Sequence, residues 1–160
     1  MGTSASAMLV YGVDIGHDDD GFGTLGPMRK TDYGEELAVD WYDDENYDET
    51  FAQQLIWELA QRCEGSACGD DDAAEEFVAE HLGVRIVQHG HYEHVRWLLA
   101  PVGEQFELTT GGDWDIRVVE IGELAPAGIF EADAKLTRAL GALGLTTSRP
   151  PAWLLVADYG

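Results

Sequence analysis

The stretch from Val84 to Ala100 combines the properties that most restrict how this chain can fold. It reads VRIVQHGHYEHVRWLLA, with apolar runs rich in β-branched and large side chains on both sides of a polar turn that contains glycine. This pattern predicts a β-hairpin. Because it is also the only long stretch without an excess of acids, we expect this hairpin to be the central scaffold against which the helices pack.

Charge is distributed very unevenly along the 160 residues. The chain has 31 acids and nine bases, for a net charge of −22. Residues 14–80 alone hold 21 acids and three bases, whereas residues 83–100 have a net charge of +1 and residues 101–160 one of −5. Lysine and arginine carry phosphate affinity, so the sequence argues against direct binding of nucleic acid or an anionic membrane. The field attracts cationic surfaces instead.

Hydrophobic periodicity predicts one α+β domain, with a mostly antiparallel sheet of about five to six strands and two to three helices packed on one face. Besides the two strands of the hairpin, the pattern predicts strands over residues 8–15, 37–42, 106–108, 116–121 and 153–159, and helices over 51–63, 71–82 and 131–143. Thr50 and Gln53 form a candidate capping box for the first helix, and Gly83 is a candidate C-cap for the second.

The N-terminus predicts no targeting segment. Residues 1–7 have neither a basic nor an apolar region, so we expect a disordered leader or a cloning remnant followed by the domain over residues 8–160. No apolar run reaches the roughly 18 residues that a membrane-spanning helix needs. These features predict a cytoplasmic protein.

Two short motifs carry no functional prediction. Residues 21–26 (GFGTLG) have the G-x-G-x-x-G spacing of dinucleotide-binding loops, but that motif needs a helix directly after it, and Pro27 argues against one. Cys63 and Cys68 lack the second pair of thiolates that a zinc site would need. We expect two reduced thiols.

Three of the five histidines lie in the hairpin turn, at His89, His91 and His94. Residues 89 and 91 point to the same face of a strand, and the turn can bring His94 toward them. Three imidazoles and a water form a catalytic zinc arrangement, so this turn is the alternative functional site.

Two families resemble the histidine turn. The string H-x-H-x-x-H resembles the H-x-H-x-D-H motif of metallo-β-lactamase-fold hydrolases, with Glu93 in the place of the aspartate, which implies a zinc-dependent hydrolase. It is also similar to the first cupin motif, because five residues separate Gly83 from the first histidine. The chain has no histidine after His94 for the hydrolase pattern, and Val95 and Arg96 stand where the cupin motif has a glutamate.

The acids of the first half form three groups, which lie in residues 14–20, residues 43–49 and residues 70–80. Five lie within residues 43–49, more than the capping of the next helix needs. In the helix over residues 71–82, acids recur at every fourth position without an interleaved base, although like charges at this spacing cost about 0.2–0.5 kcal/mol per pair. The partner-binding residues that we predict are Asp18, Asp19, Asp20, Asp43, Asp44, Glu45, Asp48, Glu49, Asp72, Glu76 and Glu80.

Three explanations compete for this acidity: a halophilic or acid-biased proteome, calcium binding by the aspartate runs, and mimicry of a nucleic-acid backbone. Duplex DNA presents one charge per ~1.7 Å of axis, whereas one acidic stripe of a helix presents one per ~6 Å, so several groups must combine. In composition alone the chain resembles the acidic DNA mimics that phages and mobile elements use against defence or repair enzymes. We favour a cofactor-free interaction module, not an enzyme, that inhibits a basic nucleic-acid-binding enzyme; a zinc protein or hydrolase is the alternative.

Overall fold

A computed structural model describes residues 5–17, 21–63, 68–90, 95–110 and 117–159. Its regular elements, in chain order, are β1 (Ala5–His17), β2 (Leu25–Gly26), β3 (Met28–Thr31), β4 (Gly34–Leu37), α1 (Phe51–Arg62), α2 (Asp71–Leu82), β5 (Val84–His89), β6 (Arg96–Pro101), β7 (Glu107–Thr109), α3 (Ile129–Ala142), β8 (Thr146–Thr147) and β9 (Ala152–Tyr159). Three helices and a five-stranded antiparallel sheet confirm the predicted α+β class.

Strand β1 is the centre of the sheet. Its first part, Ala5–Gly12, pairs with β9, and residues 8–10 pair with β7 as well, so β7 and β9 lie on opposite edges of it. Its last part, from Val13 to His17, pairs with β6, which in turn pairs with β5. The predicted hairpin is therefore present, but it forms one side of the sheet, and β1 takes the central position that we expected of the hairpin.

Gly12 lies where β1 changes partners. A Cβ atom built at this glycine would stand 2.3 Å from the carbonyl oxygen of Leu99 in β6, a distance that no side chain tolerates. The register between β1 and β6 also shifts between Asp14 and Gly16, which marks a β-bulge. The close approach and the bulge together allow one strand to serve both parts of the sheet.

Alternating residues of β1 point into two cores. Tyr11, Val13 and Ile15 belong to the main core between the sheet and the helices. Val10 belongs to a smaller cluster on the other face, to which β5, β6 and β9 contribute Val87, Leu98, Ala100, Leu154 and Val156. Both faces of the β5–β6 hairpin are consequently buried.

The helices follow their predicted bounds closely because their signals are local. The capping box of Thr50 and Gln53 is formed at the start of α1. Asp70 caps α2 by accepting from the backbone N–H of Ala73, and Gly83 ends that helix in the left-handed conformation at φ 67°. No described helix is both long and apolar enough to cross a membrane.

Two predicted strands are wrong. Only Leu37 of residues 37–42 is in a strand, because β3 and β4 already form a hairpin that ends there. Trp41 instead donates its indole N–H to the carbonyl oxygen of Leu143 at 2.9 Å, so its burial does not come from strand pairing. Of residues 116–121, those from Arg117 to Glu120 have no regular structure and Ile121 begins a 3-10 turn; Ile116 lies outside the described residues.

Other boundaries differ by a few residues. β1 begins at Ala5, so residues 5–7 of the expected leader pair with β9. Strand β7 begins at Glu107, because Phe106 closes a 3-10 turn over Glu104–Phe106. The glycine-rich region after Gly21 is followed by β2, β3 and β4, and not by a helix, as Pro27 had indicated.

We predict that Gly12→Ala lowers the free energy of unfolding by about 2 kcal/mol or more, because the added methyl group forces β1 away from Leu99. Gly141→Ala in α3 is the matched control, since nothing lies within 4 Å of a Cβ there and alanine favours helix. Urea denaturation of both variants measures the difference. Equal stability of Gly12→Ala and the unchanged protein would contradict the close approach.

Candidate functional site

The acidic segment, residues 43–49 before α1, is held in place by the buried side-chain amide of Gln54. Gln54 is 7% exposed; its side-chain oxygen accepts from the backbone N–H of Asp43, and its side-chain N–H donates to the carbonyl oxygen of Asp43, both at 2.9 Å. From the sequence, the apolar stripe of α1 leaves Gln54 on the opposite, polar face of the helix. The structure shows instead that it ties the acidic segment to the helix, and only its position one residue beyond the capping glutamine distinguishes it in sequence.

Hydrogen bonds within the segment fix its shape. Asp43 accepts from the backbone N–H of Glu45 at 3.0 Å, and Asn46 accepts from that of Asp48 at 3.2 Å. The side-chain amide of Asn46 also donates to Glu49 at 3.2 Å. These short-range bonds hold the backbone while all five acids of residues 43–49 stay exposed.

Asp71 connects this segment to α2. One of its carboxylate oxygens accepts from the indole N–H of Trp57 at 2.6 Å, and the other accepts from the side-chain amide of Gln53 at 2.9 Å. Gln53 also accepts from the backbone N–H of Thr50, so a chain of hydrogen bonds runs from the end of the acidic segment to the start of α2. The two groups of acids are therefore neighbours.

We call these neighbouring exposed acids the acidic surface. Eight of the eleven predicted partner-binding residues belong to it; Asp18, Asp19 and Asp20 lie outside the described residues. Sequence reasoning missed two members, Asp71 and Glu75, because it followed a single stripe of α2. The acidic surface consists of Asp43, Asp44, Glu45, Asp48, Glu49, Asp71, Asp72, Glu75, Glu76 and Glu80.

Most of the bases form ion pairs with acids that lie outside the acidic surface. Six of the nine form ion pairs in the described part of the chain, and no member of the acidic surface takes part in any of them. Arg138 donates to the carbonyl oxygen of His81, at the opposite end of α2 from Asp71. The pairs are Arg29–Glu36, Arg62–Asp40, Arg62–Glu58, Arg85–Glu107, Arg96–Asp14, Arg117–Glu123 and Lys135–Glu131.

The charge density of α2 is higher than one stripe suggests. Its five surface acids, from Asp71 to Glu80, extend over nine residue steps, or about 14 Å of helix axis at ~1.5 Å per residue. This is roughly one charge per 3 Å, close to the ~3.4 Å per charge of a single DNA strand. One stripe alone still presents one charge per ~6 Å. The density is higher because α2 exposes two acidic stripes, and it remains below the one charge per ~1.7 Å of duplex DNA.

A cleft opens beside the acidic segment. It has a volume of about 460 Å³, and its walls combine aromatic rings with acids of the acidic surface. The aromatic residues are Phe22, Tyr42, Tyr47, Phe51 and Trp97, and the acids are Asp44, Asp48 and Glu49.

The histidine turn is described only in part. His89 ends β5 opposite Arg96, and its Nε2 atom is buried without a hydrogen-bond partner among the described residues. His91 and His94 lie outside the described residues. In the part of the chain that the structure does describe, no group of three or more histidine, cysteine or acidic side chains could hold a metal.

Glu75 is the member of the acidic surface whose pKa is shifted. Partial burial raises the pKa of its carboxyl group above the usual 4.5, and the nearby charges of Asp72 and Asp71 raise it further. The pKa of Glu75 is higher in the folded state than in the unfolded state. Ionisation of Glu75 therefore destabilises the fold as the pH rises above the unfolded-state pKa, and the full cost is reached above the folded-state pKa.

We therefore predict that Glu75→Gln raises the free energy of unfolding at pH 7, and that this gain disappears as the pH falls through the unfolded-state pKa to about 3, where the carboxyl group is protonated in the folded and unfolded states alike. Urea denaturation across this pH range measures it. Glu104→Gln, which changes an exposed glutamate outside α2, is the control and should gain less. A gain for Glu75→Gln that persists unchanged at low pH would contradict the shifted pKa.

Comparison with known proteins found no match: no family model, no curated protein and no solved structure is significantly similar to this chain. A function for this protein therefore has to be inferred from its own side chains.

Proposed function

We propose that the acidic surface binds a basic nucleic-acid-binding protein in the place of its nucleic acid and so inhibits it. The observation that carries this proposal is the separation of charges. Ten exposed acids, in two groups linked by the hydrogen bonds of Gln53 to Thr50 and Asp71, make no ion pair in the described residues, while six bases pair with acids elsewhere. Charge left unpaired in this way is available to a cationic partner.

The cost of the arrangement supports a role in binding. Asp72, Glu76 and Glu80 repeat at intervals of four residues on α2, and Asp71 and Glu75 repeat in the same way. Each such pair of like charges destabilises a helix by about 0.2–0.5 kcal/mol. A basic surface that covers these acids relieves the repulsion, so part of the binding free energy comes from strain already present in the free protein.

The rigidity of the surface supports the same role. Gln54 holds the acidic segment, and Asp71 holds α2 against α1 through Gln53 and Trp57. A surface whose backbone is already fixed loses little conformational entropy on binding. Together with a charge density on α2 close to that of one DNA strand, this favours a nucleic-acid-like ligand surface over a general solubilising coat.

Reversal of three surface charges tests the proposal. We expect Glu45→Lys, Glu76→Lys and Glu80→Lys together to abolish binding to the partner, because they leave seven acids and three bases on the acidic surface in place of ten acids. None of the three side chains makes a hydrogen bond or ion pair in the described residues, so the fold should persist. The triple variant Asp32→Lys, Glu35→Lys and Glu104→Lys is matched in charge and changes three exposed acids outside the acidic surface.

The measurement has two stages. Proteins retained on the immobilised chain at low salt are identified, and a nucleic-acid-binding protein among them is then bound to a labelled DNA or RNA duplex. The unchanged chain and the control triple should displace the duplex, with affinity that falls on the order of tenfold or more between about 50 mM and about 500 mM sodium chloride. The variant Glu45→Lys, Glu76→Lys and Glu80→Lys is called the surface triple. Equal weakening of duplex displacement by the surface triple and the control triple would favour a general acidity of the halophilic kind. Displacement of the duplex by the surface triple would refute the proposal.

We also propose zinc binding by His89, His91 and His94 as a second candidate. The observation that favours it is the buried Nε2 atom of His89, which has no hydrogen-bond partner in the part of the chain that the structure describes. A buried nitrogen left unsatisfied costs about 1–3 kcal/mol, and coordination of a metal is one way to satisfy it. Zinc bound there would supply a Lewis acid, and the three imidazoles would hold it.

Calorimetric titration with zinc tests the second candidate. We expect one zinc ion per chain to bind at about micromolar concentration, and His89→Ala to abolish the binding, because a catalytic zinc site needs three protein ligands and the variant leaves two. His81→Ala, which removes an exposed histidine at the end of α2, should bind zinc as the unchanged chain does. No heat of binding at micromolar zinc would exclude the site.

A further inference from the structure

The cleft beside the acidic segment has rigid aromatic walls. Phe22, Tyr42 and Phe51 contact one another edge to face, with ring centroids 5.0, 5.2 and 5.3 Å apart. Trp41 stacks on Phe51 from a further side at 5.9 Å. Because each ring is held by at least two others, the aromatic faces stay in place without a ligand.

The same cleft has an acidic rim. Asp44, Asp48 and Glu49 line it, and Tyr47, 93% exposed, stands at its edge. No ion pair neutralises these three carboxylates within the described residues. The cleft therefore offers aromatic surface and negative charge together, which is the combination that binds organic cations.

We infer that this cleft receives the guanidinium group of an arginine side chain. A guanidinium group is planar and weakly hydrated, so it stacks on aromatic rings and donates paired hydrogen bonds to a carboxylate. The volume of about 460 Å³ lies within the roughly 300–1,000 Å³ of ligand pockets and leaves room for the aliphatic stem. The inference rests on the proposed function, because the arginine belongs to the basic partner.

Two other cations fit the cleft less well. A hard metal ion such as calcium takes oxygen ligands on all sides and gains nothing from aromatic walls. The ammonium group of lysine is a compact, strongly hydrated charge that gives up more hydration on entering the cleft and has no flat face to stack. The aromatic rings thus select arginine, whereas the remainder of the acidic surface attracts any positive charge.

Nuclear magnetic resonance titration of the whole isotope-labelled chain tests the inference without the partner. The probes are N-acetyl-arginine amide and N-acetyl-lysine amide. We expect the arginine probe to shift signals of Tyr42, Tyr47 and Trp97 with a dissociation constant on the order of millimolar, and the lysine probe to bind at least about threefold more weakly. Signals of α2 should move little with either probe.

Two pairs of variants separate the cleft from the remaining surface. Tyr47→Ala and Asp48→Asn should each weaken the arginine probe about threefold or more. Their controls are Tyr33→Ala, which removes an exposed tyrosine from the β3–β4 turn, and Glu104→Gln, which removes an exposed acid outside the cleft; both should bind the probe normally. Equal binding of the two probes, equal shifts along α2, or normal binding by Tyr47→Ala would each overturn the inference.

The partner assay keeps the two proposals distinguishable. If the surface triple loses the partner but Tyr47→Ala displaces the duplex as the unchanged chain does, the acidic surface stands and the arginine cleft fails. If the arginine probe binds the cleft while no nucleic-acid-binding protein is displaced from its duplex, the cleft is an arginine site and the proposed inhibition fails.

Discussion

The close approach of β1 to β6 at Gly12 is the constraint on which the rest of the fold depends. Because no side chain separates Gly12 from the carbonyl oxygen of Leu99, β1 can serve two parts of the sheet and face a core on each side. The later part of β1 then leads to His17 and, past it, to Phe22, both of which line the cleft. The backbone contact at Gly12 and the geometry of the candidate site are thus connected through one strand.

The elements that the sequence predicts well are those with local signals. The apolar stripe and capping box of α1, and the cap residues of α2, act within a few positions of each other, so their pattern can be read directly. The segment over residues 37–42 misled because its large side chains are buried one at a time, by contacts such as that of Trp41 with Leu143. The apolar residues among 116–121 predicted a strand wrongly because some of them are not buried at all. Val118 is 73% exposed and Ile121 is 86% exposed.

In the candidate site, too, the sequence predicts only what depends on local signals. Exposure of the acids follows from their charge, so eight of them could be named from the sequence. The contact of Asp71 with Trp57 joins residues 14 positions apart on different helices, and Gln54 appears in the sequence as an ordinary polar residue of a helix. The cleft could not be foreseen either, because its walls come from residues as distant as His17 and Trp97.

The dipole of α2 explains some of its acids but not all. Asp70, Asp71 and Asp72 lie at the positive N-terminal end of the helix, where carboxylates stabilise it, and Arg138 lies at the negative end, where a cation does. Glu75, Glu76 and Glu80 lie beyond the first turn, where this benefit has faded and mutual repulsion opposes the good helix propensity of glutamate. The helix dipole therefore gives no reason for these three glutamates, and their mutual repulsion favours a cationic partner over a purely structural role for the acidic surface.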